Sequence, residues 1–136
     1  MTEIEQDIIS QLVEKLLDIE IVISLETGPL VLFALIERDD APGKWDLVVS
    51  ATLSRERHKD LLNRIALQVR NNLKWEEKVI LSRILILDPE EPFVRAINNM
   101  ANVEHGRLRV SNSLVNEISV KDAYIFTSNP QNAAIR

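Results

Sequence analysis

The residues whose types and spacing could do chemistry lie where a predicted strand meets a predicted helix, in the stretch SATLSRERH at positions 50–58. Three hydroxyl side chains alternate along the end of the strand, and three basic side chains follow in the first turn of the helix. A helix N-terminus carries free N–H groups and the positive end of the helix dipole, so it can bind an anion. The candidate anion-binding residues are Ser50, Thr52, Ser54, Arg55, Arg57 and His58.

The same junction also has an ordinary structural interpretation. Ser54 is a suitable N-cap for the helix, because hydroxyl side chains are the usual capping residues. His58 precedes Leu61 by about one turn, which directs its ring toward the apolar stripe of that helix. Arg55 and Arg57, however, oppose the positive end of the helix dipole, and a bound anion or a partner's carboxylate would offset this cost. The sequence leaves both interpretations open.

Other kinds of chemistry lack the residues that they need. The chain has no cysteine, which excludes disulfides, cysteine-ligated zinc and a thiol nucleophile. The glycines Gly28, Gly43 and Gly106 lie far apart, so there is no phosphate-binding loop and no dinucleotide fingerprint, and no G-x-S-x-G motif occurs. His58 and His105 do not have metal-ligand spacing. We therefore expect no metal, no cofactor and no catalytic residue; whether the chain is an enzyme stays open, and a non-catalytic role is favoured.

Charge is distributed unevenly along the chain. The net charge is −5 and the isoelectric point is about 5.1, with acids dominating residues 1–40 and bases dominating residues 55–83. Glu56 and Asp60 interrupt the basic helix, which has no interleaved aromatic residues for base stacking, so we expect no nucleic-acid partner. The acidic and basic segments could instead steer self-association.

The sequence shows no sign of membrane contact or export. No apolar run approaches the roughly 18 residues that a membrane span requires. The opening segment MTEIEQD is acidic where a secretory signal would be basic. We therefore expect a cytoplasmic protein with no membrane partner.

Apolar periodicity predicts the first half of the secondary structure. A capping box at Thr2 and Glu5 opens a helix with a wide apolar stripe. The alternation in residues 19–26 then indicates a half-buried strand. The continuous apolar run at residues 30–37 is typical of a central strand covered on both faces. A hairpin loop connects it to a strand at residues 45–51, which completes a meander of three strands.

Helices and strands alternate in the second half. The clearest helix start is Asp88 as N-cap with Pro89 at the first helical position. A strand reached through a helix is expected to lie parallel to the strand before it. The other elements predicted here are helices at 55–73 and 75–80 and strands at 82–88, 107–111 and 122–128.

Together these elements predict an α+β fold in the order αβββα(α)βαββ, with a mixed, mainly antiparallel sheet of about six strands and helices packed on it. No internal repeat, low-complexity segment or linker-like stretch occurs, so residues 1–128 are expected to form a single compact domain. Residues 129–136 are polar, contain Pro130 and are expected to form a flexible tail.

The function expected from these observations is binding or assembly, not catalysis. We expect a homodimer that is built either on the apolar face of residues 4–17 or by pairing of an edge strand, for which residues 122–128 are the candidate. The alternative is a domain that binds a small anionic ligand or cofactor at the junction 50–58 and is a weakly marked enzyme.

Overall fold

A computed structural model describes residues 2–133 of the chain, with Arg55 described by its backbone alone. The described residues form four α-helices, five strands and a short 3-10 helix. The helices are α1 (Glu3–Thr27), α2 (Arg55–Asn72), α3 (Trp75–Ile80) and α4 (Pro92–Met100); the strands are β1 (Leu32–Arg38), β2 (Trp45–Ser50), β3 (Leu81–Leu87), β4 (Leu108–Val115) and β5 (Ile118–Ser128); the 3-10 helix is Pro130–Ala133.

The strands form one mixed sheet in the order β3-β2-β1-β5-β4. Strands β2 and β3 are parallel, and the other three neighbouring pairs are antiparallel. The parallel pair is connected through α2 and α3, because two parallel strands need a long crossover. The predicted α+β class and the parallel crossover are confirmed, although the sheet has five strands where about six were expected.

Helix α1 corrects the largest error of the sequence analysis. Residues 19–26 were predicted to form a strand, but they are the last turns of α1, which ends at Gly28 with a φ of 97° and its N–H bonded to Ser24 O. Ile19 and Ile23 are buried, whereas Ile21 is 38% exposed and Leu25 82% exposed. The apolar residues of this segment fit a period of two as well as a helical period, and packing selects the helix. No helix among the described residues is long and apolar enough to cross a membrane.

Strand β1 is the central strand, as predicted, and both of its sides are buried. Phe33 and Leu35 point to the first face of the sheet, which is covered by α1, α2 and α3. Leu32 and Ile36 point to the second face, which is covered by α4 and by the tip of the β4–β5 hairpin. Because α4 has nine residues and is one helix against three, the second face is the less completely covered.

The start of α4 lies later than predicted. Asp88 and Pro89 form a turn in which Glu91 N donates to Asp88 O at 3.0 Å, and the helix begins with Glu91 as N-cap and Pro92 at the first position. A residue that precedes proline is disfavoured in the helical region, so Glu91 cannot continue a helix into Pro92. The second proline, not the first, therefore sets the boundary.

Strand β5 is not an edge of the sheet, which contradicts its selection as the candidate edge. It lies between β1 and β4, and the edges are β3 and β4. The segment between the two last predicted strands belongs to the β4–β5 hairpin. Its two-residue turn is Asn116 and Glu117, with φ of 47° and 67°, the left-handed geometry that matches the twist of a hairpin.

The first part of the predicted tail is held against the rest of the fold. Asn132 is buried, and its amide donates to Leu30 O and to Glu104 Oε1, each at 2.8 Å. Asn129 N also donates to Val31 O at 3.0 Å. Residues 134–136 of the predicted flexible tail lie outside the described residues.

The helical end of α1 can be tested with two aliphatic residues that the strand prediction placed on the same side. Ile23→Ala is expected to lower the free energy of unfolding by about 2–5 kcal/mol, because it leaves a cavity in the core. Leu25→Ala is expected to change it by less than about 0.5 kcal/mol, because that side chain is exposed. Urea denaturation measures both, and similar losses in the two variants would contradict the helix.

The contact between Asn132 and Glu104 makes stability depend on pH. The hydrogen bond from the Asn132 amide lowers the pKa of the Glu104 carboxyl below its usual value. A carboxyl with a lowered pKa in the folded state contributes stability above its unfolded pKa of about 4.3, and this contribution is lost as the pH falls through the folded value. The melting temperature of Asn132→Ala is therefore expected to fall less between pH 5 and pH 3 than that of the wild type.

Glu104→Gln is the matched control for this pH dependence, because it removes the titrating group and leaves Asn132 in place. It is expected to reduce the acid-induced fall in melting temperature in the same way. An equal fall in the wild type and in both variants would show that Glu104 does not contribute.

Candidate functional site

The structure does not bring the three hydroxyl groups of the predicted anion site together. Ser50 is fully buried in β2, and its hydroxyl has no hydrogen-bond partner among the described residues. Thr52 donates to Ala133 O at 3.4 Å, and Ser54 is the N-cap of α2 without a capping bond from its side chain. Arg57 is exposed, and the side chain of Arg55 lies outside the described part. The hydroxyl groups therefore do not converge on one point.

His58 lies beside a carboxylate. Its side chain is 17% exposed, and Nε2 lies 3.6 Å from Asp88 Oδ1. Asp88 and Glu90 also line a neighbouring cavity of about 320 Å³ beside Thr52. Carboxylates at this position repel an anion, so the surroundings of the junction do not favour the predicted site. No measurement tests anion binding, and it stays a prediction.

The outer edge of β3 is the surface that the structure leaves open. Within the described residues, β2 is the only strand that pairs with β3. No residue of β3 is buried, although every residue of its neighbour β2 is. Four of the five aliphatic side chains of β3 are consecutive, at residues 84–87, and all four are half-buried. An edge of this length and composition can accept another strand through its free N–H and C=O groups.

The opposite edge of the sheet is protected by the devices that β3 lacks. Strand β4 carries polar side chains at Arg109, Ser111 and Ser113, and Asn112 takes a left-handed φ of 50° that interrupts the regular edge. The guanidinium of Arg109 is bonded to Asp122 of β5, at 3.1 and 2.7 Å, so it is held toward its own sheet and does not itself block the edge. Polar side chains and irregular backbone are usual means of preventing pairing with another chain. The two edges therefore differ in their capacity for assembly.

The single charge of β3 is turned away from its outer edge. Arg83 donates to both oxygens of Asp46 on β2, at 3.1 and 2.7 Å, and this contact raises the pKa of the Arg83 guanidinium. Arg38 lies on the other side of the same carboxylate, with Nε 3.8 Å from Asp46 Oδ2. Because the guanidinium of Arg83 is bonded across the second face of the sheet, it does not occupy the position that a pairing strand would take.

An apolar groove of about 150 Å³ lies on the second face beside this edge. The Arg38–Asp46–Arg83 cluster borders it at one end. Aliphatic side chains from three neighbouring strands form its floor, and Phe93 of α4 and Ile118 of β5 form its sides. The apolar lining residues are Ile36, Val48, Leu85, Leu87, Phe93 and Ile118.

The two ends of β3 carry opposite charges. The residues just before it include the exposed Lys74 and Lys78, and those just after it include the exposed Asp88, Glu90 and Glu91. Helix α3, which leads into β3, also exposes two large apolar side chains. These are Trp75, which is 73% exposed, and Val79, which is 61% exposed.

A second polar cluster, which the sequence analysis missed, joins α1 to the loop before β4. Glu20 is fully buried, and its Oε1 lies 2.5 Å from His105 Nδ1. Ser24 donates to Glu20 Oε2 at 2.8 Å. The error in α1 hid this cluster, because a strand at 19–26 would place Glu20 on the solvent side. In a continuous helix it follows Leu16 by one turn and falls in the buried stripe.

Comparison of the chain with protein-family models, with curated proteins and with solved structures found no match.

Proposed function

We propose that the protein is an assembly domain that forms a homodimer through the outer edge of β3. The observation that carries the proposal is the difference between the two edges, since four consecutive residues of β3 are aliphatic whereas β4 is polar from Ser111 to Ser113 and irregular at Asn112. Pairing of one β3 with the β3 of a second copy would join two five-stranded sheets into one continuous sheet. The protected β4 edges would then face outward, so growth would stop at two chains.

The distribution of charge supports an antiparallel arrangement of the two β3 strands. A two-fold axis through the middle of the strand places the start of one β3 beside the end of the other. The basic start, with Lys74 and Lys78, then lies near the partner's acidic end, with Glu90 and Glu91. The symmetry repeats this contact, so each favourable pair occurs twice. The basic end also exposes one acid, Glu76. Its two lysines still give it a net positive charge, and the partner's acidic end carries three carboxylates.

The other predicted dimer surface is used within the chain. The apolar stripe of residues 4–17 packs on the first face of the sheet, where Leu12, Val13 and Leu16 are buried in the core. Ile4 is 72% exposed but lies at the end of the stripe. This leaves the β3 edge as the better supported surface. The cytoplasmic location expected from the sequence is part of the same proposal.

Light scattering on the purified protein tests the assembly. The wild type is expected to have twice the 15.5 kDa mass of the chain at micromolar concentration. Leu85→Lys is expected to give a monomer, because a lysine on an edge strand opposes pairing with another strand. Leu108→Lys is the matched control, since Leu108 is an aliphatic residue of the β4 edge and its replacement is expected to leave the dimer intact.

Circular dichroism should show that both lysine variants remain folded. A wild type that stays monomeric at high micromolar concentration would overturn the proposal. A dimer that survives Leu85→Lys but dissociates in Leu108→Lys would place the contact at the other edge.

Charge reversal tests the antiparallel arrangement. Lys78→Glu is expected to weaken the dimer roughly tenfold, because it places like charges together at both symmetric contacts. Adding Glu90→Lys to the same chain is expected to restore most of the affinity, because the pair is then reversed and not broken. Sedimentation equilibrium at low salt measures both. If Glu90→Lys weakens the dimer further in the Lys78→Glu background, the strands do not meet in this orientation.

A further inference from the structure

The Glu20–His105 cluster is independent of the β3 edge and holds an imidazole in a fixed position. Glu20 has no exposed surface, and burial of a carboxylate is costly unless its oxygens are hydrogen-bonded. His105 Nδ1 lies 2.5 Å from Oε1 and 3.1 Å from Oε2, and Ser24 bonds Oε2. Both carboxylate oxygens therefore have a hydrogen-bond partner. One of these partners, the His105 side chain, is 47% exposed.

The hydrogen bond determines which ring nitrogen carries the proton. Ser24 already donates to Oε2, and the contact between Oε1 and His105 is a hydrogen bond when Nδ1 carries the proton and donates it. In the neutral ring this leaves Nε2 without a proton and with a free lone pair. Among the described residues no hydrogen bond or ion pair involves that nitrogen. An acid that orients a histidine through Nδ1, with Nε2 open to react, is the arrangement by which a carboxylate prepares an imidazole for nucleophilic or base chemistry.

The backbone holds the ring in place at some conformational cost. His105 has a left-handed φ of 50°, which is unfavourable for a residue with a side chain. Its N–H donates to Thr127 Oγ1 at 3.1 Å, and Gly106 N donates to Phe126 O at 2.9 Å. A Cβ on Gly106 would lie 2.8 Å from Val103 Cγ2, so the loop is closely packed at this point. The loop therefore presents His105 on a rigid support.

The surroundings limit the chemistry available to this imidazole. The described residues contain no group of three or more potential metal ligands, so a metal centre built on His105 is not supported. The nearby charges are mainly negative, because Glu104 has a lowered pKa and stays ionised, and Arg107 is paired with Glu14. A phosphoryl donor would bring further negative charge. A neutral acyl donor is the electrophile that fits.

We propose that His105 Nε2 is a nucleophilic site that accepts an acyl group from a neutral activated ester or thioester. Nε2 bonds to the carbonyl carbon, the carbon–oxygen or carbon–sulfur bond breaks, and the leaving group departs with the electron pair. The product is an acylimidazolium whose Nδ1 proton stays in the hydrogen bond to Glu20. Water then adds to the acyl carbon, the carboxylic acid and the neutral imidazole are released, and the proton freed in this step goes through solvent to the departed anion.

Hydrolysis of p-nitrophenyl acetate by the full chain tests the nucleophile. The two histidines of the chain provide a matched pair, since His58 lies in α2 and lacks a buried carboxylate partner. His105→Ala is expected to reduce protein-dependent release of p-nitrophenolate by about tenfold or more, whereas His58→Ala retains the wild-type rate. Equal rates in the wild type and His105→Ala would overturn the proposal.

The role of Glu20 as a positioning residue has its own measurement. Nitrogen-15 NMR of the wild type is expected to show His105 with the proton on Nδ1, and Glu20→Gln is expected to shift the ring toward the other tautomer and to lower the rate several-fold. If Glu20→Gln does not fold, Ser24→Ala provides a milder loss of support. If a folded variant keeps both the tautomer and the rate of the wild type, Glu20 does not position the ring for reaction and the cluster has only a structural role. The monomeric Leu85→Lys protein should react like the wild type, which separates this site from the dimer.

Discussion

Burial of β1 on both sides is the constraint on which the rest of the structure depends. A strand that is aliphatic along both faces has to be sandwiched between helices, because the alternative is to expose one row of its side chains to water. Three helices meet this requirement on the first face, where α1 contributes buried side chains from Ile9 to Ile23. On the second face the short α4 and the hairpin tip supply the cover, and the groove beside β3 lies between them.

The strand order that follows from this centre makes the two edges unequal. Strand β5 occupies one side of β1 and carries β4 outside it, so the polar hairpin ends the sheet there. The other side ends with β3, which enters the sheet from α3 and has the composition of an interior strand. A parallel strand of this kind is normally covered by a further neighbour, and its position at the end of the sheet is what makes an intermolecular neighbour a reasonable expectation.

The sequence predicted the elements whose signals are local. The central strand, the β1–β2 hairpin, α2, α3 and the parallel crossover follow from periodicity, turn residues and connection length. The strand prediction for residues 19–26 failed because Ile19 and Ile23, four residues apart, fit a helical stripe as well as the alternating pattern that they form with Ile21 and Leu25. Only tertiary packing selects the helix. The edge assignment failed for a different reason: strand order is a property of long-range pairing, and no residue within 122–128 encodes that β4 lies outside it. The six candidate anion-binding residues within 50–58 were chosen for their residue types. The position of Ser50 in the sheet could not be predicted from its type, and its side chain points into the core.

The pairing of β1 with β5 also has a consequence for how the chain acquires its structure. β1 and β2 are neighbours in sequence and can form their hairpin early, whereas the other partner of β1 is the last strand among the described residues. Until β5 is available, the central strand of the sheet has one row of unsatisfied backbone groups. Non-local pairings of this kind slow folding and expose the nascent chain to association with other molecules. Completion of the native sheet is therefore tied to the arrival of the C-terminal hairpin.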